Sequence, residues 1–153
     1  MISVHGSALP NKALTNFEII DAVKELKIPH FRGVFMRNNL PTKPLKRECG
    51  ILNLDGVSGR GTHWVCWYKT DKRKSYFDSF GIQPPKELIE YLSCPIFYNT
   101  EKIQPDHEVV CGHLCLYVLR RLSQGDKQQD IMTSTCTGDE IYSMVSLLIQ
   151  LDI

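Results

Sequence analysis

Four residues of the types that perform acyl transfer occur along the chain in the order His63, Asp78, Gln104 and Cys111. A thiol nucleophile needs a base that takes its proton, a group that orients the base, and hydrogen-bond donors that stabilise an oxyanion. The four residue types supply these parts together, whereas each one alone is common in proteins without such a role. The set therefore predicts a cysteine-dependent hydrolase.

Cys111 stands where a loop at 104–108 gives way to an apolar helix, predicted from Cys111 to Leu122. The unpaired N–H groups and the dipole of a helix N-terminus favour a thiolate, which is the reactive form of cysteine. The alternative is a buried structural thiol, because cysteine is also a common small core residue. Cys115, one turn later, is assigned to the core.

His63 and Asp78 fall on two strand-like segments joined by a polar connector. If the turn is centred on Thr70 and Asp71, His63 lies directly opposite Asp78, with Cβ atoms about 5 Å apart. The carboxylate can then accept a hydrogen bond from Nδ1–H of the imidazole and hold the ring as a base. The alternative is an ordinary surface pair. It is disfavoured by the aromatic residues around the two positions, namely Trp64, Tyr76, Phe77 and Phe80.

Gln104 precedes Cys111 by seven residues. Its side-chain amide can reach back toward the thiol and donate, together with the backbone N–H of Cys111, to an oxyanion. A zinc site is the competing interpretation of this region. It is disfavoured because the sequence has no paired C-x-x-C and because Cys111 and His113 would point to different faces of a helix. The further candidate ligands would be Cys94, His107, Cys115 and Cys136.

The elements that must position these residues are a few strands and unevenly placed helices, which predicts an α+β fold. Asn16 is expected to cap the first helix and Pro29 to end it. A loop or irregular extension is predicted for 30–47, where glycine and proline interrupt the pattern. Helices are predicted at 17–26, 84–92, 111–122 and 139–151, and strands at 50–54, 62–68, 75–80 and 95–100.

The composition is that of one soluble domain spanning 1–153, with an N-terminal tail of about 1–13. Because the net charge is only +1, no large basic field indicates a nucleic-acid partner, although Lys43–Arg47 and Lys69–Lys74 are local basic runs. The sequence has no signal-peptide core and no apolar run of about 18 residues. We therefore expect an intracellular protein with no membrane span and with cysteines that are mostly thiols.

Four blocks of this sequence resemble, in order and spacing, the active-site blocks of the adenovirus endopeptidase (adenain) family: GTHWVCWY, YFDSFG, Gln104 and VCGHLCLYVL. The wider group includes proteases of SUMO and other ubiquitin-like proteins and proteases of virus-like DNA transposons. Two upstream blocks, EIIDAVKELKIPHFRGVFMRNNLP and CGILNLDGVSGRGTHW, resemble the N-terminal part of the same family. The resemblance covers about 14–122 and is specific as a set.

The resemblance implies a mixed sheet flanked by helices, with His63 as general base, Asp78 as orienting acid, Gln104 as oxyanion donor and Cys111 as nucleophile. Adenain has glutamate at the position of Asp78, and the SUMO-type enzymes have aspartate. The family cleaves next to small residues, often after Gly-Gly or Gly-Xaa-Gly, and needs no cofactor for the chemistry. We therefore expect an endopeptidase that processes viral or transposon capsid precursors in the nucleus, the cytoplasm or the virion.

Two other functions share this resemblance: removal of ubiquitin-like or SUMO-like tails, and an inactive interaction protein with a protease fold. Adenain is also activated by DNA and by a peptide that forms a disulfide with one of its cysteines. Cys94 lies near the equivalent place but is offset by one residue relative to Gln104. The resemblance thus makes a peptide or DNA an expected activator, with Cys94 as the peptide's attachment point.

Overall fold

The computed structural model describes residues 12–55, 63–102 and 110–125. Within these ranges, five strands form one mixed sheet, and helices occur before, between and after the strands along the chain. This arrangement confirms the α+β prediction. The helices are α1 (Asn16–Leu26), α2 (Lys86–Leu92) and α3 (Cys111–Ser123). The strands are β1 (Phe31–Met36), β2 (Glu48–Asn53), β3 (Trp64–Lys69), β4 (Lys74–Phe77) and β5 (Phe97–Tyr98).

The strand order is β1-β2-β3-β4-β5. The outer pairs β1–β2 and β4–β5 are parallel, whereas β3 runs antiparallel to both of its neighbours. The start of β3 and the end of β4 therefore lie side by side at the same end of the two strands. His63 directly precedes β3 and Asp78 directly follows β4, so this topology places both residues at that end.

Helix α1 begins one residue earlier than predicted, and its cap is Thr15 rather than Asn16. The Thr15 hydroxyl accepts from the Glu18 N–H, and the Glu18 carboxylate accepts from the Thr15 N–H, which forms a capping box. The helix ends before Lys27, which adopts a left-handed conformation two residues ahead of Pro29. The chain thus turns before the proline is reached.

The prediction of an irregular segment at 30–47 was wrong for its first part, which forms β1. All six residues of β1 are half-buried, because the strand lies at the edge of the sheet. Its pairing with β2 is also irregular between Phe31 and Gly33. The segment consequently shows neither the alternating nor the continuously apolar pattern by which strands are identified.

The two faces of the sheet carry separate apolar clusters. Helices α1 and α3 cover one face, and α2 covers the other. Helix α3 is buried without interruption from Cys111 to Leu119, and it packs against β3 and α1. The predicted helix at 139–151 lies outside the described residues. None of the helices in the described ranges is long and apolar enough to cross a membrane.

Candidate active site

The hairpin of β3 and β4 positions the first two candidate residues. Its connector was predicted correctly, but the register was not, because Lys69 pairs with Lys74 and Cys66 with Phe77. The turn is closed by a hydrogen bond from the Thr70 N–H to the Arg73 carbonyl. The register differs by two residues from the predicted one. Since side chains alternate with a period of two, Asp78 remains on the same face as His63.

His63 and Asp78 are in direct contact: Nε2 of His63 lies 2.6 Å from Oδ1 of Asp78. The prediction that Nδ1 meets the carboxylate was wrong. The paired residues of the hairpin end at Cys66 and Phe77, so His63 and Asp78 both lie beyond the ladder, and it is Nε2 that reaches the carboxylate. Asp78 is fully buried, and its Oδ1 also accepts from the Phe80 N–H at 2.8 Å. The pair is therefore an internal feature and not a surface contact.

Phe80 forms the wall on which the imidazole rests. Its ring stacks on that of His63, with the centroids 4.5 Å apart and the planes 13° from parallel. The sequence indicated Phe80 only as an apolar neighbour. The turn after β4 brings Phe80 to this place, since the Phe80 N–H donates to Oδ1 of Asp78 and the Gly81 N–H donates to the Asp78 carbonyl.

Cys111 is the first residue of α3 and is 7% exposed. Its thiol is close enough to the His63 ring to contribute to the raised pKa of His63. Because Nε2 of His63 is held by Asp78, Nδ1 is the ring nitrogen left for the sulfur. Gly112 allows α3 to approach this closely. A Cβ at that position would lie 3.2 Å from Cδ1 of both Trp64 and Leu14.

The electrostatics of His63 follow from these contacts. Burial alone lowers the pKa of an imidazole because it disfavours the charged form. The hydrogen bonds and charges of Asp78 and Cys111 outweigh burial and raise the pKa of His63 to about 9. The environment thus stabilises the imidazolium form of His63, the form that it takes when it accepts a proton.

Asn99 was not identified from the sequence, although two of its side-chain atoms bond to the backbone of Asp78. Its Oδ1 accepts from the Asp78 N–H at 3.1 Å, and its Nδ2 donates to the Asp78 carbonyl at 2.6 Å and to the Glu101 carbonyl at 3.3 Å. The side chain is buried. No local pattern in the sequence distinguishes it from an ordinary loop asparagine, since the contact depends on the pairing of β4 with β5.

The other candidates are not brought into this cluster. Gln104 lies outside the described residues, so its predicted position stays a prediction. Cys94 is exposed, in the segment between α2 and β5. Cys115 is fully buried, as assigned, and burial raises its pKa well above that of a free thiol. The described ranges contain no group of three or more His, Cys, Asp or Glu residues arranged to hold a metal ion.

The two basic runs of the sequence meet at the other end of these strands, where β2 and β4 start and β3 ends. Nζ of Lys69 donates to the carbonyls of Leu45 and Lys46, both at 2.9 Å, and Asp71 lies 3.8 Å from Lys46 and 4.0 Å from Arg47. Asp71 is the single acidic residue within the two runs, and it is exposed. We name the seven cations the basic surface: Lys43, Lys46, Arg47, Lys69, Lys72, Arg73 and Lys74.

Comparisons with known proteins show which solved structures are similar to this fold. No protein-family model and no curated protein matches the sequence. The crystal structure of the ASFV pS273R protease is similar with a TM-score of 0.61 and 18% identity, over 91% of this chain and 68% of that one. The SUMO protease Ulp1, with its catalytic cysteine oxidized to a sulfinic acid, is similar with a TM-score of 0.57 and 13% identity, over 94% and 78%. The chain therefore has the fold of these two proteases.

Proposed function

We propose that the protein is a cysteine endopeptidase with Cys111 as nucleophile, His63 as base and Asp78 as orienting acid. One observation carries the proposal: the imidazole of His63 contacts a buried carboxylate and lies near Cys111, the first residue of an apolar helix, which contributes to its raised pKa. A structural thiol would need neither partner. The similarity of fold to two proteases supports the same assignment.

The chemistry begins with proton transfer from the Cys111 thiol to His63, which gives a thiolate and an imidazolium. The thiolate attacks the scissile carbonyl, and the oxyanion is stabilised by the Cys111 N–H and, as proposed from the sequence, by the Gln104 amide. The imidazolium then protonates the leaving amine. Water activated by the neutral imidazole finally hydrolyses the thioester and restores the thiol.

The proposed substrates carry small residues at the cleavage site, such as Gly-Gly or Gly-Xaa-Gly. The indole of Trp64 approaches Gly112 immediately beside the nucleophile, which is consistent with a narrow cleft there. Capsid-type precursors are the proposed substrates. Removal of ubiquitin-like tails is the second candidate, favoured by the similarity to a SUMO protease.

A labelling experiment tests the nucleophile. A Gly-Gly vinyl sulfone should modify Cys111, and the rate should fall by at least about 10²-fold in His63→Ala, because the base is lost. Cys94 provides an internal control because it is exposed, whereas Cys111 is 7% exposed. Mass mapping that shows Cys94 reacting as fast as Cys111 would mean that exposure alone governs reactivity, and would contradict the proposal.

A substrate comparison separates the two enzyme candidates from an inactive interaction protein. Short peptides containing Gly-Xaa-Gly and a folded ubiquitin-like protein with a C-terminal extension should be offered to the parent and to Cys111→Ala. Preference for the peptides supports the endopeptidase, and preference for the folded substrate supports deconjugation. Absence of turnover together with equal binding by both proteins would indicate an interaction protein.

DNA and an activating peptide are proposed partners. The basic surface carries a net charge of +6 when Asp71 is included, although the whole chain carries +1. Duplex DNA should therefore bind weakly, with an affinity that falls steeply with salt. Fluorescence anisotropy should show weaker binding for Lys72→Glu than for the control Lys24→Glu on α1. Equal binding by the two variants would place the DNA elsewhere.

The proposed peptide disulfide at Cys94 is tested separately. Its exposure makes the thiol accessible to a second cysteine. If the proposal holds, Cys94→Ser should lose the response of labelling rate to a cysteine-containing peptide under oxidising conditions. An unchanged response would rule out Cys94 as the attachment point.

A further inference from the structure

Asp78 occupies a place where the sheet no longer holds the backbone. Strand β4 ends at Phe77, and the two-residue strand β5 pairs only with Ser75 and Tyr76. The orienting carboxylate is therefore carried by the first residue beyond a strand end. Its main-chain position must be fixed by something other than the strand ladder.

The Asn99 side chain provides this fixation. Its amide meets both backbone groups of Asp78, as acceptor for the N–H and as donor to the carbonyl. A side-chain amide has the same donor and acceptor pair as a peptide group, so it acts as one further rung between β5 and β4. The same carbonyl also accepts from the Gly81 N–H at 2.8 Å, which closes the turn that carries Phe80.

We infer that Asn99 is a positioning residue of the proposed active site, which acts through Asp78 to set the orientation of His63. Buried hydrogen bonds to the two peptide groups that flank the Asp78 Cα restrict rotation about its backbone, and the Asp78 carboxylate has a fixed direction only if that backbone is fixed. Asn99 is within hydrogen-bond distance of neither His63 nor Cys111 in the described contacts. The expected effect of Asn99 on catalysis rests on the proposed function, whereas its expected effect on the orientation of His63 does not.

The structural consequence can be measured without activity. In a Cys111→Ala background, the pKa of His63 is read by NMR from the imidazole signals of the parent and of Asn99→Ala. We expect a lower pKa in Asn99→Ala, shifted toward 6.5, because the carboxylate no longer holds one position against Nε2. Among the described residues, the titratable groups facing His63 are Asp78 and Cys111, and Lys102 lies 5.4 Å from the Phe80 ring centroid.

A double-mutant cycle distinguishes positioning from general destabilisation. If Asn99 acts through Asp78, Asn99→Ala should leave the pKa of His63 unchanged once Asp78 is already alanine. Tyr91→Phe serves as the matched control, because it removes buried hydrogen bonds to Glu48 on the other face of the sheet. This control should lower the melting temperature and leave the pKa of His63 unchanged.

The catalytic consequence is a fall in kcat with little change in KM, because Asn99 acts on the base and not on substrate binding. If Asn99→Ala does not fold, Asn99→Ser is measured instead, since its hydroxyl can serve one of the two backbone groups and should give a smaller shift. A folded Asn99 variant with the parent pKa at His63 would overturn the inference. An inactive parent in which the pKa shift still occurs would instead refute the proposed function alone.

Discussion

The contacts around one imidazole account for the chemistry proposed here at the scale of single residues. His63 is held through Nε2 by Asp78 and through its face by Phe80, and Cys111 is near enough to contribute to its raised pKa. Such a ring has little rotational freedom, so its tautomer and direction are fixed before a substrate arrives. Preorganisation of this kind reduces the reorganisation that a transition state would otherwise require.

Replacement of the orienting carboxylate is the direct test of this arrangement. Asp78→Asn keeps the size of the side chain but removes the charge that stabilises the imidazolium. We expect the rate of Cys111 labelling by the Gly-Gly probe to fall by on the order of 10²-fold or more. The matched control is Asp71→Asn in the hairpin connector, which removes a carboxylate that is 40% exposed and should leave the rate unchanged. A parent-like rate in Asp78→Asn would remove Asp78 from the triad.

At the scale of elements, the turn after β4 carries both Asp78 and Phe80 and is closed by the hydrogen bond from the Gly81 N–H to the Asp78 carbonyl. Gly81 has φ of +72°, and a Cβ there would lie 2.7 Å from the carbonyl oxygen of Thr100. Gly81→Ala should therefore be destabilised by roughly 1–3 kcal/mol from φ alone, with more from the clash. Gly125 has φ of +92°, and no described residue lies within 4 Å of a Cβ placed there, so Gly125→Ala serves as the comparison for the backbone cost. Urea unfolding of the two variants should show the larger loss for Gly81→Ala, and equal losses would mean that the clash relaxes freely.

The buried carboxylate of Glu48 joins four elements, namely β1, β2, β3 and α2. This β2 residue accepts from Arg32 of β1 at 2.8 Å, from Nε1 of Trp67 of β3 at 2.9 Å, and from the Tyr91 hydroxyl of α2 at 2.7 Å. Its side chain has no exposed area. The carboxylate thus accepts hydrogen bonds from three different elements, and its removal would leave all three donors without this acceptor.

Removal of this carboxylate should be strongly destabilising. Glu48→Ala leaves Arg32 without its carboxylate partner, and because the Arg32 side chain is 23% exposed the loss should be on the order of 3 kcal/mol, the lower end of the cost of breaking a buried pair. Chemical denaturation should show this loss, whereas Glu90→Ala on the exposed side of α2 should stay within about 0.5 kcal/mol of the parent. A loss below about 1 kcal/mol for Glu48→Ala would mean that water replaces the carboxylate at low cost.

The stability of the whole molecule should depend on pH through His63. The folded state raises the pKa of His63 from 6.5 to about 9, so the folded state binds its proton more tightly than the unfolded state does. The resulting stabilisation is fully present below about pH 6.5 and is lost as the pH rises through about 9. Melting temperatures of the parent and of His63→Gln should therefore differ most at the low end of this window and converge above it. A constant difference across the window would show that the pKa of His63 is the same in both states.

Local sequence determined the helices, the hairpin and the residue types of the candidate site. Helix α3 was predictable because its apolar run is continuous and the basic residues Arg120 and Arg121 occupy its last turn. The hairpin was predictable because two aromatic-rich segments flank a polar connector. These signals depend on neighbours within one turn or one strand, which the sequence displays directly. The fold class and the contact between His63 and Asp78 followed from them.

Only the tertiary structure decided the register, the nitrogen that meets Asp78, the strand β1 and the role of Asn99. Each of these depends on which residues of different strands lie side by side, and a shift of two residues changes the partner without changing the apolar pattern. The basic surface arises in the same way, since two separate runs join only when β2 and β3 pair. The sequence therefore determined which groups are present, and the packing of the sheet determined which of them meet.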